Sequence, residues 1–65
     1  MYNKKNIKNL FNSVGIRVEF EMEIQENCFV AKVSKKNNIY IWNNEIVSKK
    51  DFYNNYLKKV LTNNQ

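Results

Sequence analysis

Arg17-Val18-Glu19-Phe20-Glu21-Met22-Glu23-Ile24-Gln25-Glu26 is the stretch whose reading decides the fold. Val18, Phe20, Met22 and Ile24 alternate with Arg17, Glu19, Glu21, Glu23 and Gln25. Successive strand residues point to opposite sides of a sheet, so this alternation predicts a strand with one dry face and one acidic face. A helix would scatter the same residues around its circumference.

Glu26-Asn27 then reads as a two-residue turn, and Cys28-Phe29-Val30-Ala31-Lys32-Val33-Ser34 as a second strand rich in strand-forming residues. Such a turn sets Ile24 opposite Phe29, Met22 opposite Ala31 and Phe20 opposite Val33 on the dry side. On the wet side it sets Glu23 opposite Val30, Glu21 opposite Lys32 and Glu19 opposite Ser34. After the polar Lys35-Lys36-Asn37-Asn38 comes Ile39-Tyr40-Ile41-Trp42, a third strand whose parity is open. A four-residue loop turns Tyr40 and Trp42 toward the dry side, and a three-residue loop turns Ile39 and Ile41 there. Asn43-Asn44 tolerates the left-handed conformations of a tight hairpin and leads to a short strand, Glu45-Ile46-Val47.

The strands are flanked by two helices. Ile7, Leu10, Phe11 and Val14 recur at helical spacing, Asn3 or Asn6 can cap the start, and Gly15, the only glycine, suits the stop. Ser48 with Asp51 resembles a capping box ahead of Phe52, Tyr53, Tyr56, Leu57, Val60 and Leu61. The expected α+β fold is thus one domain over residues 1–65. It has a helix at 3–14, strands at 16–25, 28–34, 39–42 and a short 45–47, and a helix at 49–62. The sheet is an antiparallel meander of three to four strands in a two-layer arrangement, both helices on its one dry face.

Composition narrows the chemistry. A 65-residue chain is near the lower limit for a core that folds alone, and the usual staples are missing from the sequence. Lone Cys28 closes no internal disulfide, and without histidine no Cys/His zinc site can be built. Nine aromatic residues or self-association are the remaining sources of stability. No imidazole base and no glycine-rich phosphate loop can be assembled, so no enzyme activity, cofactor or metal is expected. Glu19, Glu21 and Glu23, neighbours about 6.7 Å apart along a strand, read as a solvated face rather than a catalytic carboxylate set. There is no apolar run of 18 residues and no apolar core after the N-terminal lysines, so neither a membrane span nor a secretory signal is expected. The free cysteine fits a cytoplasmic setting.

The net charge of +5 is unevenly distributed. Residues 1–17 carry only cations, residues 18–34 carry Glu19, Glu21, Glu23 and Glu26 against Lys32, and six lysines come after them against Glu45 and Asp51. Three functions are compatible. In the first, a small protein-binding module docks Glu19, Glu21 and Glu23, with Val30, Lys32, Tyr40 and Trp42, or else a flanking helix, onto a larger protein with a basic surface. Its asparagine-, lysine- and isoleucine-rich composition suggests an accessory protein of a phage or mobile element, one that inhibits or modulates a host defence or regulatory protein. In the second, Lys4, Lys5, Lys8, Lys35, Lys36, Lys49 and Lys50 grip nucleic acid while Tyr40 and Trp42 stack on bases. The single arginine and the acidic face count against that reading. The third is a structural homodimer.

Overall fold

The computed structural model describes residues 2–63 of the chain. Its elements are α1 (Lys4–Asn12), β1 (Glu19–Gln25), β2 (Cys28–Lys32), β3 (Asn38–Trp42), β4 (Glu45–Val47) and α2 (Lys49–Asn63). The four strands form an antiparallel meander in the order β1-β2-β3-β4, so the α+β class and the element order are as expected.

Local chemistry sets the element ends. The Asn3 side chain accepts from Asn6 N at 2.8 Å and opens α1. At the other end Gly15 is left-handed, with φ 82°. Its N–H donates to Asn12 O and that of Ile16 to Phe11 O, the paired closure of a Schellman motif. These bonds draw 13–16 into the helix ending, so β1 starts at Glu19 rather than at 16. The N–H groups of Val33 and Ser34 both donate to Asn37 O, which closes the 33–37 connection and ends β2 at Lys32. Asn43 and Asn44 have φ of 53° and 66°, as a two-residue hairpin turn requires. Ser48 Oγ accepts from Asp51 N at 3.1 Å and opens α2.

The helices lie on opposite faces of the sheet, not on one face as expected. Ile7 of α1 packs into a buried cluster with Phe29, Ala31 and Ile41, bordered by Phe11, Val18, Phe20 and Ile39. Phe52 of α2 packs on the rings of Tyr40 and Trp42, with centroids 5.8 and 5.4 Å away. Neighbouring strand residues face opposite ways, and the register pairs Phe29 with Ile41 but Val30 with Tyr40. Cys28, Phe29, Val30 and Ala31 are consequently all buried, and β2 has no wet side. The open parity of β3 resolves with Ile39 and Ile41 toward α1 and Tyr40 and Trp42 toward α2.

The β1–β2 register departs from a plain two-residue hairpin. Gln25 lies opposite Cys28, as the Glu26-Asn27 turn predicts, but the register shifts between Glu23 and Gln25 and again between Phe20 and Met22. These shifts place Glu23 opposite Phe29, Met22 opposite Val30, Phe20 opposite Ala31 and Glu19 opposite Lys32. A bulge adds a residue to one strand and reverses the facing of the residues beyond it. Phe20 therefore turns to the α1 side, where it meets Phe29 edge-on at 5.5 Å, while Met22 opposes Val30 on the α2 side.

This packing sets the cost of truncating each layer. Ile41→Val is expected to cost about 0.5–1.5 kcal/mol and Phe52→Ala about 3–5 kcal/mol, read as shifts of the urea midpoint. A domain this small holds only roughly 3–5 kcal/mol, so the Phe52 variant should be largely unfolded at room temperature. A wild-type midpoint for Phe52→Ala would show that α2 is not part of the cooperative unit. Conversely, Asn44→Gly should raise stability by up to about 1 kcal/mol, because glycine enters the left-handed region without the steric cost an L-residue carries there. A lowered midpoint would mean that the Asn44 side chain contributes more than its backbone geometry.

Candidate functional site

The residues expected to form one docking surface are not brought together. Glu21 reaches Lys32 Nζ at 3.8 Å and accepts from Asn38 Nδ2 at 3.3 Å, and Glu19 lies opposite Lys32, all on the α2 side. Glu23 instead pairs with Lys4 Nζ at 3.1 Å on the α1 side. Lys4 also stands 5.9 Å over the Phe20 ring, on that same face. The bulges thus divide the acidic stripe between two faces and give two of its three carboxylates a lysine partner. Val30 is buried at 2% exposure, and Tyr40 and Trp42 are half-buried beneath Phe52, so all three belong to the packing and not to a surface.

The basic residues are dispersed in the same way. Lys5 and Lys8 are exposed on α1, Lys35 and Lys36 on the β2–β3 connection, and Lys49 and Lys50 on the first turn of α2. Since α1 and α2 cover opposite faces, these lysines make no single basic patch. Tyr40 and Trp42 are half-buried with their rings packed against Phe52, so the two rings expected to stack on bases belong in large part to the α2 packing.

Two surface features are left. An open cleft of about 230 Å³ is lined by Arg17, Glu19, Lys32, Val33, Ser34 and Lys35. Its charges are mixed, and Lys32 is already engaged with Glu21. The second feature is on α2. Phe52, Tyr53, Tyr56, Leu57, Val60 and Leu61 occupy about half of the helix circumference at 100° per residue. The sheet takes only the side led by Phe52, which is fully buried. Tyr53 touches the Tyr40 ring at 6.2 Å and is still 37% exposed; Leu57 is 56% and Leu61 65% exposed. These three stand four residues apart and form one continuous row along the helix.

The row is uncovered because it turns away from the sheet: at about 100° per residue Leu57 and Leu61 lie roughly 140° and 180° around the helix from the buried Phe52. The ring contacts of α2 with the strands come from Phe52 and Tyr53 near its start, and the flanking β4 is only three residues long. The chain measures 44 × 22 × 15 Å. Its radius of gyration of 12.3 Å exceeds the roughly 11 Å usual for a compact chain of this length. Leu10 and Val14, expected to bury with Ile7, are also exposed, beside the end of α1, as is Ile46 on the α1 side of β4. Helical periodicity alone puts the α2 residues on an apolar face but does not say which of them stay free.

Among the described residues no group of three or more His, Cys, Asp or Glu is placed to hold a metal ion, and no helix is long and apolar enough to cross a membrane. The Cys28 thiol is buried against Asn27. No protein-family model matches the chain, and no curated protein or solved structure matches it either.

The carboxylate pairs are half-exposed, so their effect on folding is small. Glu23→Gln is expected to cost no more than about 1 kcal/mol at low salt and close to nothing at roughly 0.5 M salt. Urea midpoints at the two salt concentrations check this; a loss above about 2 kcal/mol that salt leaves unchanged would show a structural role for the Lys4–Glu23 contact beyond charge.

Proposed function

We propose that this is a small non-enzymatic protein-binding module that acts by covering part of a larger protein's surface. The supporting observation is the uncovered row Tyr53, Leu57 and Leu61 on α2, in a domain whose central strand is buried on both sides. Interface anchors are typically aromatic or aliphatic side chains that leave water on docking, with polar groups around them. The row has this composition, with lysines and asparagines beside it.

The surface proposed here is the α2 row rather than the β1 carboxylates; Glu21 and Glu23 already have lysine partners within the chain, which also weakens the case for a basic partner. The finer reading is an accessory protein of a phage or mobile element that inhibits or modulates a host defence or regulatory protein. It rests on the small size, the asparagine- and lysine-rich composition and the lack of histidine. The dispersed lysines and the covered Tyr40 and Trp42 favour a protein partner over nucleic acid.

The test is affinity capture from a low-GC bacterial lysate with wild-type protein and with Leu57→Glu, followed by titration of the purified partner. Leu57 is exposed and glutamate is a good helix former, so the variant should fold within about 0.5 kcal/mol of wild type. The expected result is a partner that binds wild type and loses about tenfold or more in affinity with Leu57→Glu, as loss of an anchor does. A partner that binds both proteins equally would remove α2 as the docking surface.

A further inference from the structure

We infer that the α2 row receives an acidic amphipathic helix of the partner protein. This rests on the protein-binding reading above and adds the partner's chemistry. Residues three and four positions apart are neighbours on a helix surface. At those positions Tyr53 has Lys49 and Lys50, Leu61 has Lys58, and Leu57 has no charged neighbour. Asp51, the only acid of α2, is not at such a spacing from any of the three. The charged rim of the row is therefore wholly cationic.

Among the described residues no carboxylate compensates this rim. The ion pairs there are Lys4–Glu23 and Lys32–Glu21, and no lysine of α2 takes part in one. An uncompensated cationic rim around an apolar row matches a partner that carries apolar anchors flanked by carboxylates, and such complementarity chiefly sets partner choice and association rate. The shape of the row selects a helix. It runs about 12 Å from Tyr53 to Leu61 at 1.5 Å per residue, a ridge of the kind that fits the groove of a facing helix.

A second copy of the chain is a poorer occupant. It carries the same net +5, its α2 presents the same cationic rim, and two of the β1 carboxylates are held by lysines. The row itself is small, one half-exposed tyrosine and two leucines over about 12 Å of helix. With three anchors and an exposed charged rim, the contact should be weak, micromolar and salt-sensitive.

The probe is a labelled synthetic helix of about 18 residues with leucines at i, i+4 and i+8 and glutamates beside them, and its isomer with lysine for every glutamate, compared by fluorescence anisotropy. Saturable one-to-one binding of the acidic peptide is expected at about 50 mM salt, weakening several-fold by about 300 mM. The lysine isomer should bind at least about tenfold more weakly, as should the acidic peptide to Leu57→Glu, Leu61→Glu or Lys50→Glu/Lys58→Glu protein. Equal binding of the two peptides would overturn the charge selection and leave the protein-binding reading standing. Equal binding of the acidic peptide to wild type and Leu57→Glu would show attraction to lysines away from the row and overturn the site. Sedimentation of wild type as a dimer that Leu57→Glu dissociates would assign the row to a second copy. Binding to phosphatidylglycerol-containing vesicles, lost in Leu57→Glu and absent for the acidic peptide, would assign it to a lipid surface. Capture of a partner by an interface insensitive to Leu57→Glu would instead defeat the docking surface proposed above, whatever the peptides do.

Discussion

Burial of β2 on both sides is the constraint from which the remaining architecture derives. Cys28, Phe29, Val30 and Ala31 are each 2% exposed or less, and consecutive side chains of a strand cannot share a face. Each face above β2 must therefore be covered by a different element. α1 covers Phe29 and Ala31 with Ile7, and α2 covers the Tyr40–Trp42 side with Phe52. Fully burying a side chain of this size is worth about 1.5–3 kcal/mol. In a chain of 65 residues, two thin helical layers around one shared strand gather that contribution from both sides of the sheet.

The same constraint accounts for β1. A strictly alternating strand would deliver Phe20, Met22 and Ile24 to one face only, yet both faces need apolar cover beside β2. Two register shifts in seven residues divide the set, with Phe20 opposite Ala31 and Met22 opposite Val30. The carboxylates are divided with them, and each face gains a lysine–glutamate pair. Bulges and charges also suit β1 to its place at the sheet edge, where a flat, regular strand would invite pairing with another chain. At the opposite edge β4 is limited to three residues.

Much of the fold was legible in the sequence because local chemistry fixes it. Asn3, Gly15, Ser48 and Asn43-Asn44 each do in the structure what their side chain or backbone freedom suggests. The side of the sheet each helix takes was not legible from helical periodicity, since an amphipathic helix fits either face equally. A cue was present elsewhere: Cys28-Phe29-Val30-Ala31 and Ile39-Tyr40-Ile41-Trp42 are continuous apolar runs, the signature of strands covered on both faces. The alternation of residues 18–24 hid the bulges, because burial still alternates along β1 even though the faces do not. The candidate site was half legible. The apolar breadth of α2 was visible, but which part is covered depends on the side of the helix that meets the sheet, here the side of Phe52.

That breadth bears on why the row exists. Folding accounts for Phe52, which is fully buried, and for Tyr53 in part, through its contact with Tyr40. It does not account for Leu57 and Leu61. More than half exposed, they gain little from the core, and glutamate, glutamine or lysine would serve the helix about as well by intrinsic propensity. A lone exposed leucine on a protein surface calls for no explanation. Two of them in line with a half-exposed tyrosine, with lysine the only charged type at helical-neighbour spacing, form an ordered patch instead. The energetics of the isolated chain leave that patch without a purpose, and removal of its water by a partner would supply one.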